Sequence, residues 1–336
     1  MYNGNDRIVT GHVEMRTNPA VREIRIYTAS SMMLQNSFAS LQEHLPRPEP
    51  VIGVMNILVL CGNNMQYSSE ITGPALNEIL RGENMKNVWH HVFFVPGPWE
   101  YCGGTLDLGD VYTSKLPHLS GEDRKRTIVV LGSQPNMVQS VLFVDFGLLI
   151  TGAHCWPYDD EGYYDVRRIY HSSAGEGGAE VDKEAVESDS VPTLDVMRER
   201  MDRDVASIES SIARCPDVPM CVVVTHGCPT ALLCTDERRQ QSDYYGTAEI
   251  ALGKRGFLDD VDYWLYGADG DRPVARLLTK PNPVGPNNNK KKKKKKQRPA
   301  DDKRQRNTMF ITNQWVAREQ RFQWSSEHIT VVRTKK

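Results

Sequence analysis

The 336 residues are 39% hydrophobic and 25% charged, enough apolar residues to bury a core and too many for a chain disordered throughout. The net charge of −2 conceals a run of seven lysines from Lys290 to Lys296; without it, 34 basic residues face 43 acidic ones, a net of −9. That balance disfavours a nucleic-acid-binding domain, which spreads its basic residues over a folded face. No apolar stretch reaches the ~18 residues of a membrane helix, so no membrane span is expected. The opening MYNGNDRIVTGHVEMRTNP lacks the apolar core of a secretory signal.

Residues 1–22 read as an N-terminal arm, and 23–336 as a single domain. Short apolar runs then follow one another as strand candidates: Ile24 to Ala29, Asn56 to Cys61, Val92 to Val95, Thr127 to Leu131 and Val141 to Asp145. Met220 to Thr225 (MCVVVT) is almost wholly apolar, as suits a strand covered on both faces. Tyr263 to Tyr266, Ala275 to Leu278, Met309 to Thr312 and Ile329 to Val332 complete the set. Between them, Leu194, Met197, Met201, Val205, Ile208 and Ile212 recur three or four residues apart, which predicts a helix from Leu194 to Arg214 with one apolar stripe. Weaker periodicity predicts helices over Met33 to Leu45 and Pro74 to Arg81. Thr72 would cap the second, and Pro74 suits its first turn.

Two segments carry no core pattern. Residues 172–190 are acidic and rich in small residues; 280–306 combine prolines, asparagines and the lysine run. Both are expected to be flexible insertions. Seven cysteines, none in a C-x-x-C pair, fit reduced thiols, with Cys61 and Cys221 as small buried hydrophobes. The compartment expected is therefore cytoplasmic or cytoskeleton-associated, an organelle remaining an alternative.

The strand ends carry the chemical information. In chain order they read ASSMMLQ (29–35), LCGNN (60–64), FVPGPWEY (94–101), VVTHGCP (223–229) and YGADGD (266–271). This series resembles the calcineurin-like metallophosphoesterases, whose members carry SDLH-like, GD, VPGNHE, TH and GHTH tips in the same order. The resemblance extends over roughly residues 24 to 333. TGAHCWPYD (151–159) and the strand-end Asn313 also resemble family segments. It implies an α/β fold, a four-layer sandwich of two mixed β-sheets flanked by helices.

The family's two-metal centre activates water and clamps a phosphate ester, and needs carboxylate, imidazole and amide ligands around two close cations. At the matching positions this chain has Ser31 and Met33 in the first tip, Asn63 for the bridging Asp, and Pro98 for the Asn ligand. Trp99 stands for the neighbouring His, and Ala268 and Gly270 for the two His of GHTH; His226 alone keeps a strong ligand. Asn63 supplies no charge to offset two divalent cations, and the Met33 thioether is a poor ligand for Mn²⁺ or Mg²⁺. Trp99 would fill space where a phosphate sits.

The resemblance thus implies a catalytically degenerate fold, with no catalytic residues and no cofactor, serving as a protein-binding or structural subunit of a larger assembly. A retromer subunit of this fold is a precedent. Met32, Met65, Trp99, Tyr101, Cys228 and Pro229 would edge the vacated groove as an interface rim, or fill it as core. The alternative is an active metal-dependent phosphoesterase with a remodelled site, its divalent metal held by His226 and Asn63. Cys228, Glu100, Asp269 and Asp271 could also contribute to it; the three acids could instead be solvated loop residues. Nucleic acid enters only through Lys290 to Lys296, a run that is more often a solvated loop, and the net −9 remainder of the chain would repel polyanions.

Overall fold

Two largely apolar runs form strands with both faces covered. Val54–Cys61 and Met220–Thr225 are buried at every position except the first. The computed structural model describes residues 11–30, 45–46, 48–62, 88–97, 100, 127–134, 137–155, 194–227, 229, 260–267, 275–278, 308–311, 315–316, 321–322 and 328–333. Their strands are β1 (His12–Met15), β2 (Glu23–Ala29), β3 (Val54–Cys61), β4 (His91–Val95), β5 (Thr127–Val130), β6 (Ser140–Phe143) and β7 (Leu148–Ala153). They continue as β8 (Met220–Thr225), β9 (Tyr263–Tyr266), β10 (Ala275–Leu278), β11 (Thr308–Ile311), β12 (Trp315–Val316), β13 (Arg321–Phe322) and β14 (Ile329–Val332). One described helix, α1 (Leu194–Arg214), stands between β7 and β8.

The protein is α/β with two mixed sheets. The larger has the order β1-β6-β7-β8-β9-β11-β10, and the smaller β14-β2-β3-β4-β5; β12 and β13 form a separate ribbon. In the smaller sheet β2 to β5 run parallel and β14 closes one edge antiparallel. In the larger, β7, β8, β9 and β11 run parallel, while β6–β7 and β10–β11 pair antiparallel.

Alternation along the strands sorts the core. Ile57, Val59 and Cys61 of β3, Phe93 and Val95 of β4, and Ile24 and Ile26 of β2 share one apolar cluster with Val141 and Phe143 of β6, Ile150 of β7 and Val222 and Val224 of β8. One face of each sheet is thus sealed in a common interior. The opposite face of the larger sheet, including Leu149, Cys221, Val223 and Trp264, receives Met201, Val205, Ile208 and Ile212 of α1. This is the stripe read from the sequence, and each such side chain contributes about 1.5–3 kcal/mol on burial. Asp195 in the first turn of α1 and Arg214 in the last have the signs that complement the helix dipole.

Several strands differ from expectation. β1 lies inside the segment assigned to the N-terminal arm and pairs in parallel with β6 at the sheet edge. β7 was not anticipated as a strand. Val144, Asp145, Phe146 and Gly147 (φ 58°) separate it from β6 in a hairpin, the left-handed position falling to glycine. The flank of that hairpin is tied to both chain ends: Asp145 Oδ2 accepts from the Thr17 backbone N–H at 2.9 Å, and Arg333 lies over the Phe146 ring. The helices expected over Met33 to Leu45 and Pro74 to Arg81, and the insertions 172–190 and 280–306, lie outside the described residues.

Candidate functional site at the strand tips

Parallel strands from both sheets bring their ends together, with Gly62, Gly97, His226 and Gly267 in close approach. The backbone at the ends of β3 and β4 meets that at the ends of β8 and β9, so four tips converge. At their centre, His226 follows β8 and is 4% exposed. Its Nδ1 lies 3.2 Å from the carbonyl oxygen of Cys61. A carbonyl only accepts, so Nδ1 carries the proton and Nε2 keeps the lone pair. Glycine backbone surrounds the ring. A Cβ on Gly62 (φ 75°) would fall 2.3 Å from Nδ1 and 2.9 Å from Gly97 Cα. One on Gly267 would fall 1.5 Å from the Cys61 oxygen. The glycine after β3 is therefore required by close approach to the imidazole, and the glycine after β9 by close approach to the Cys61 carbonyl.

Behind His226 stands a second buried imidazole. The His154 and His226 rings are 5.2 Å apart, edge to face, and the backbone N–H groups of His226 and Gly227 both donate to the His154 carbonyl. Burial lowers the His226 pKa to about 4, the Cys61 carbonyl opposing the shift. Burial holds His154 well below the ordinary value, with the charges of His226 and Arg200 acting the same way. Both rings are neutral near pH 7. Below them, Thr225 Oγ1 accepts the Trp264 indole N–H at 2.9 Å and donates to the Gly227 carbonyl at 2.8 Å, which fixes the β8 turn.

Glu100 is not a solvated loop acid, as one sequence expectation had it: it is fully buried and closes its own turn. Its Oε2 accepts the Gly97 N–H at 2.7 Å, and its N–H donates to the Gly97 carbonyl at 3.1 Å. Burial pushes the Cys61 thiol up to about 12, which leaves it a neutral packing group beside Thr28.

The sequence reading missed a buried carboxylate beside this constellation. Asp204 of α1 accepts hydrogen bonds from Ser133 Oγ and, at 2.8 Å, from the Cys155 backbone N–H. A small cavity of 20 Å³, room for about one water, adjoins it and is lined by Pro96, Ser133, His154, Arg200 and Arg203 among others. The sequence held a signal for it: Asp204 stands three residues after Met201 and four before Ile208, inside the apolar stripe.

Of the positions matched to the family's ligands, His226 is described and central, while Ser31, Met33, Asn63, Pro98, Trp99, Ala268 and Gly270 lie outside the described residues. Of the suggested rim, Pro229 is buried. Met32, Met65, Trp99, Tyr101 and Cys228 lie outside the described residues. Among the described residues, no three His, Cys, Asp or Glu side chains converge as a metal ion needs, and no helix is long and apolar enough to cross a membrane.

No family model matches the chain, and no curated protein matches it. A solved structure, the phosphopantetheinyl hydrolase of Mycobacterium tuberculosis, is similar over 87% of this chain and 89% of its own, at 12% identity and a TM-score of 0.47. A likeness that distant assigns neither fold family nor activity.

Proposed function

We propose that this chain is a catalytically degenerate member of the calcineurin-like metallophosphoesterase superfamily, a four-layer sandwich that serves as a protein-binding or structural subunit of a larger assembly. The observation that carries the reading is the His226 imidazole, sealed among glycine backbone at the meeting of four strand tips. In an active member this position faces a metal pair. Here the donor set does not fit one: Ser31, Met33, Asn63, Pro98, Ala268 and Gly270 stand where anionic and imidazole ligands are needed. Loss of a two-metal clamp removes both water activation and charge stabilisation, while the apolar pattern that sets the fold is untouched.

Elemental analysis of the native protein tests the first half, with well under one equivalent of Mn, Fe or Zn expected; close to two equivalents would overturn it. Affinity capture with the wild type and Trp99→Ala tests the second. If the vacated groove is an interface, the substitution weakens partner binding by roughly 2 kcal/mol and leaves the fold intact.

One observation favours the alternative, a metal-dependent phosphoesterase with a remodelled site. The His226 tautomer leaves the Nε2 lone pair available to a single divalent ion. Phosphoesterase turnover with added Mn²⁺ that vanishes in His226→Ala would establish that alternative.

A further inference from the structure

Asp204 joins three elements. It belongs to α1, which packs on the larger sheet. It accepts from Ser133, just past β5 at the edge of the smaller sheet, and from the N–H of Cys155, just past β7 within the larger. Cys155 has φ 56°, a left-handed conformation that a residue with a Cβ keeps only where its surroundings hold it. The Cys155 N–H bond to Asp204 is one such restraint. The adjoining cavity, lined by the half-exposed Arg200 and the exposed Arg203, leads from the carboxylate toward water.

We propose that Asp204 is a proton-operated latch on the strand-tip face: protonated, it holds the Cys155 turn closed against Ser133 and α1, and ionised, it favours opening of that turn toward water. In the closed, protonated form one oxygen accepts from the Cys155 N–H, while the other gives its proton to Ser133 Oγ, which turns from donor to acceptor. No atom changes place but the proton.

The electrostatics support the direction. Burial raises the Asp204 pKa to about 6, against the pull of the hydrogen bonds from Ser133 and Cys155 and the charges of Arg200 and Arg203. A carboxyl raised above its ordinary 3.8 gives stability that is full below that value and lost as pH rises through about 6. A shift of this size changes the opening equilibrium by up to about 100-fold, of which about tenfold falls between pH 5 and pH 8. The other titratable groups on this side are His154 and the Cys155 thiol after β7, with His226 behind His154. Burial depresses both imidazoles and raises the thiol. The imidazoles therefore favour opening on acidification, the opposite sign, so the latch is read as a difference from a variant in which they are unchanged.

The test is hydrogen–deuterium exchange at the Cys155 amide from pH 5 to pH 8, corrected for intrinsic exchange, in the wild type and Asp204→Asn. Asparagine can accept from Cys155 and donate to Ser133 without titrating. Protection in the wild type, relative to the variant, is expected to fall about tenfold over that range. Equal pH dependence in the two proteins would overturn the latch. If Asp204→Asn does not fold, Ser133→Ala serves in its place: loss of a donor to the ionised carboxylate moves the wild-type midpoint to higher pH, and an unmoved midpoint refutes the proposal.

Discussion

His226 Nδ1 reaches the Cys61 carbonyl across the boundary between the two sheets, one residue following β8 of the larger and the other ending β3 of the smaller. The 3.2 Å contact leaves no room for a side chain at the adjacent glycines. Gly62→Ala would force both a left-handed backbone and a Cβ 2.3 Å from the imidazole. It is expected to cost about 3 kcal/mol in urea denaturation. Gly267→Ala, whose Cβ would lie 1.5 Å from the Cys61 oxygen, should be worse and yield little folded protein.

Acid should unfold the protein partly through His91. This ring is 1% exposed in β4, lies 5.7 Å from the Phe143 ring, and has no hydrogen-bond partner on either nitrogen among the described residues. Burial, with a smaller effect of His90, lowers its pKa from 6.5 to about 3. The unfolded chain takes up that proton first, so stability is full above 6.5 and lost as pH falls toward 3. His91→Leu should therefore reduce the stability lost between pH 7 and pH 5 by about 2 kcal/mol, measured by denaturation at the two values.

The segment between β10 and β11 should tolerate shortening. Leu278 pairs with Thr308 in an antiparallel ladder, so the chain leaves and re-enters the sheet between neighbouring strands. A short connection closes that gap with little change in loop entropy. Replacing residues 284–303, lysine run included, with a short Gly/Ser linker is expected to leave the melting temperature within a few degrees of the wild type.

Arg333 is a clamp rather than a surface charge. Its Nε donates to the Val21 carbonyl at 2.9 Å, its Nη2 to Thr17 Oγ1 at 2.7 Å and to the Asn18 carbonyl at 2.9 Å, and its guanidinium lies over Phe146. Arg333→Ala should cost about 1–3 kcal/mol. Arg333→Lys should recover only a part of this, because an ammonium lacks the planar fork that reaches three acceptors at once. Chemical denaturation of the two variants measures both.

Legibility of the fold followed burial. Met220–Thr225 and Leu194–Arg214 were read to the residue, because a continuous apolar run and an unbroken helical stripe each admit few alternatives. β7 was missed because its apolar run continues that of β6. The Asp145-Phe146-Gly147 break that divides them was the available signal. β1 was missed because His12 and Val13 are only partly covered and Glu14 is exposed at a sheet edge, where periodicity is weak. At the tips, the position of His226 just after a strand was legible from its Thr-His-Gly setting. The roles of Gly62, Gly267 and Asp204 were not, since each depends on a contact between residues more than sixty positions apart.

The pairing of β14 with β2 sets an order on biosynthesis. Ile329 and Val331 lie beside Ile26 and Ile24, with nearly the whole described chain between them in sequence. As the polypeptide leaves the ribosome, β2, β3, β4 and β5 can assemble early, but the outer edge of β2 stays unpaired until residue 332 has been made. For most of its synthesis the nascent chain therefore displays an open strand bearing two isoleucines. A chain stopped short of Ile329 keeps that edge permanently, and pairing between such fragments is its most direct route to aggregation.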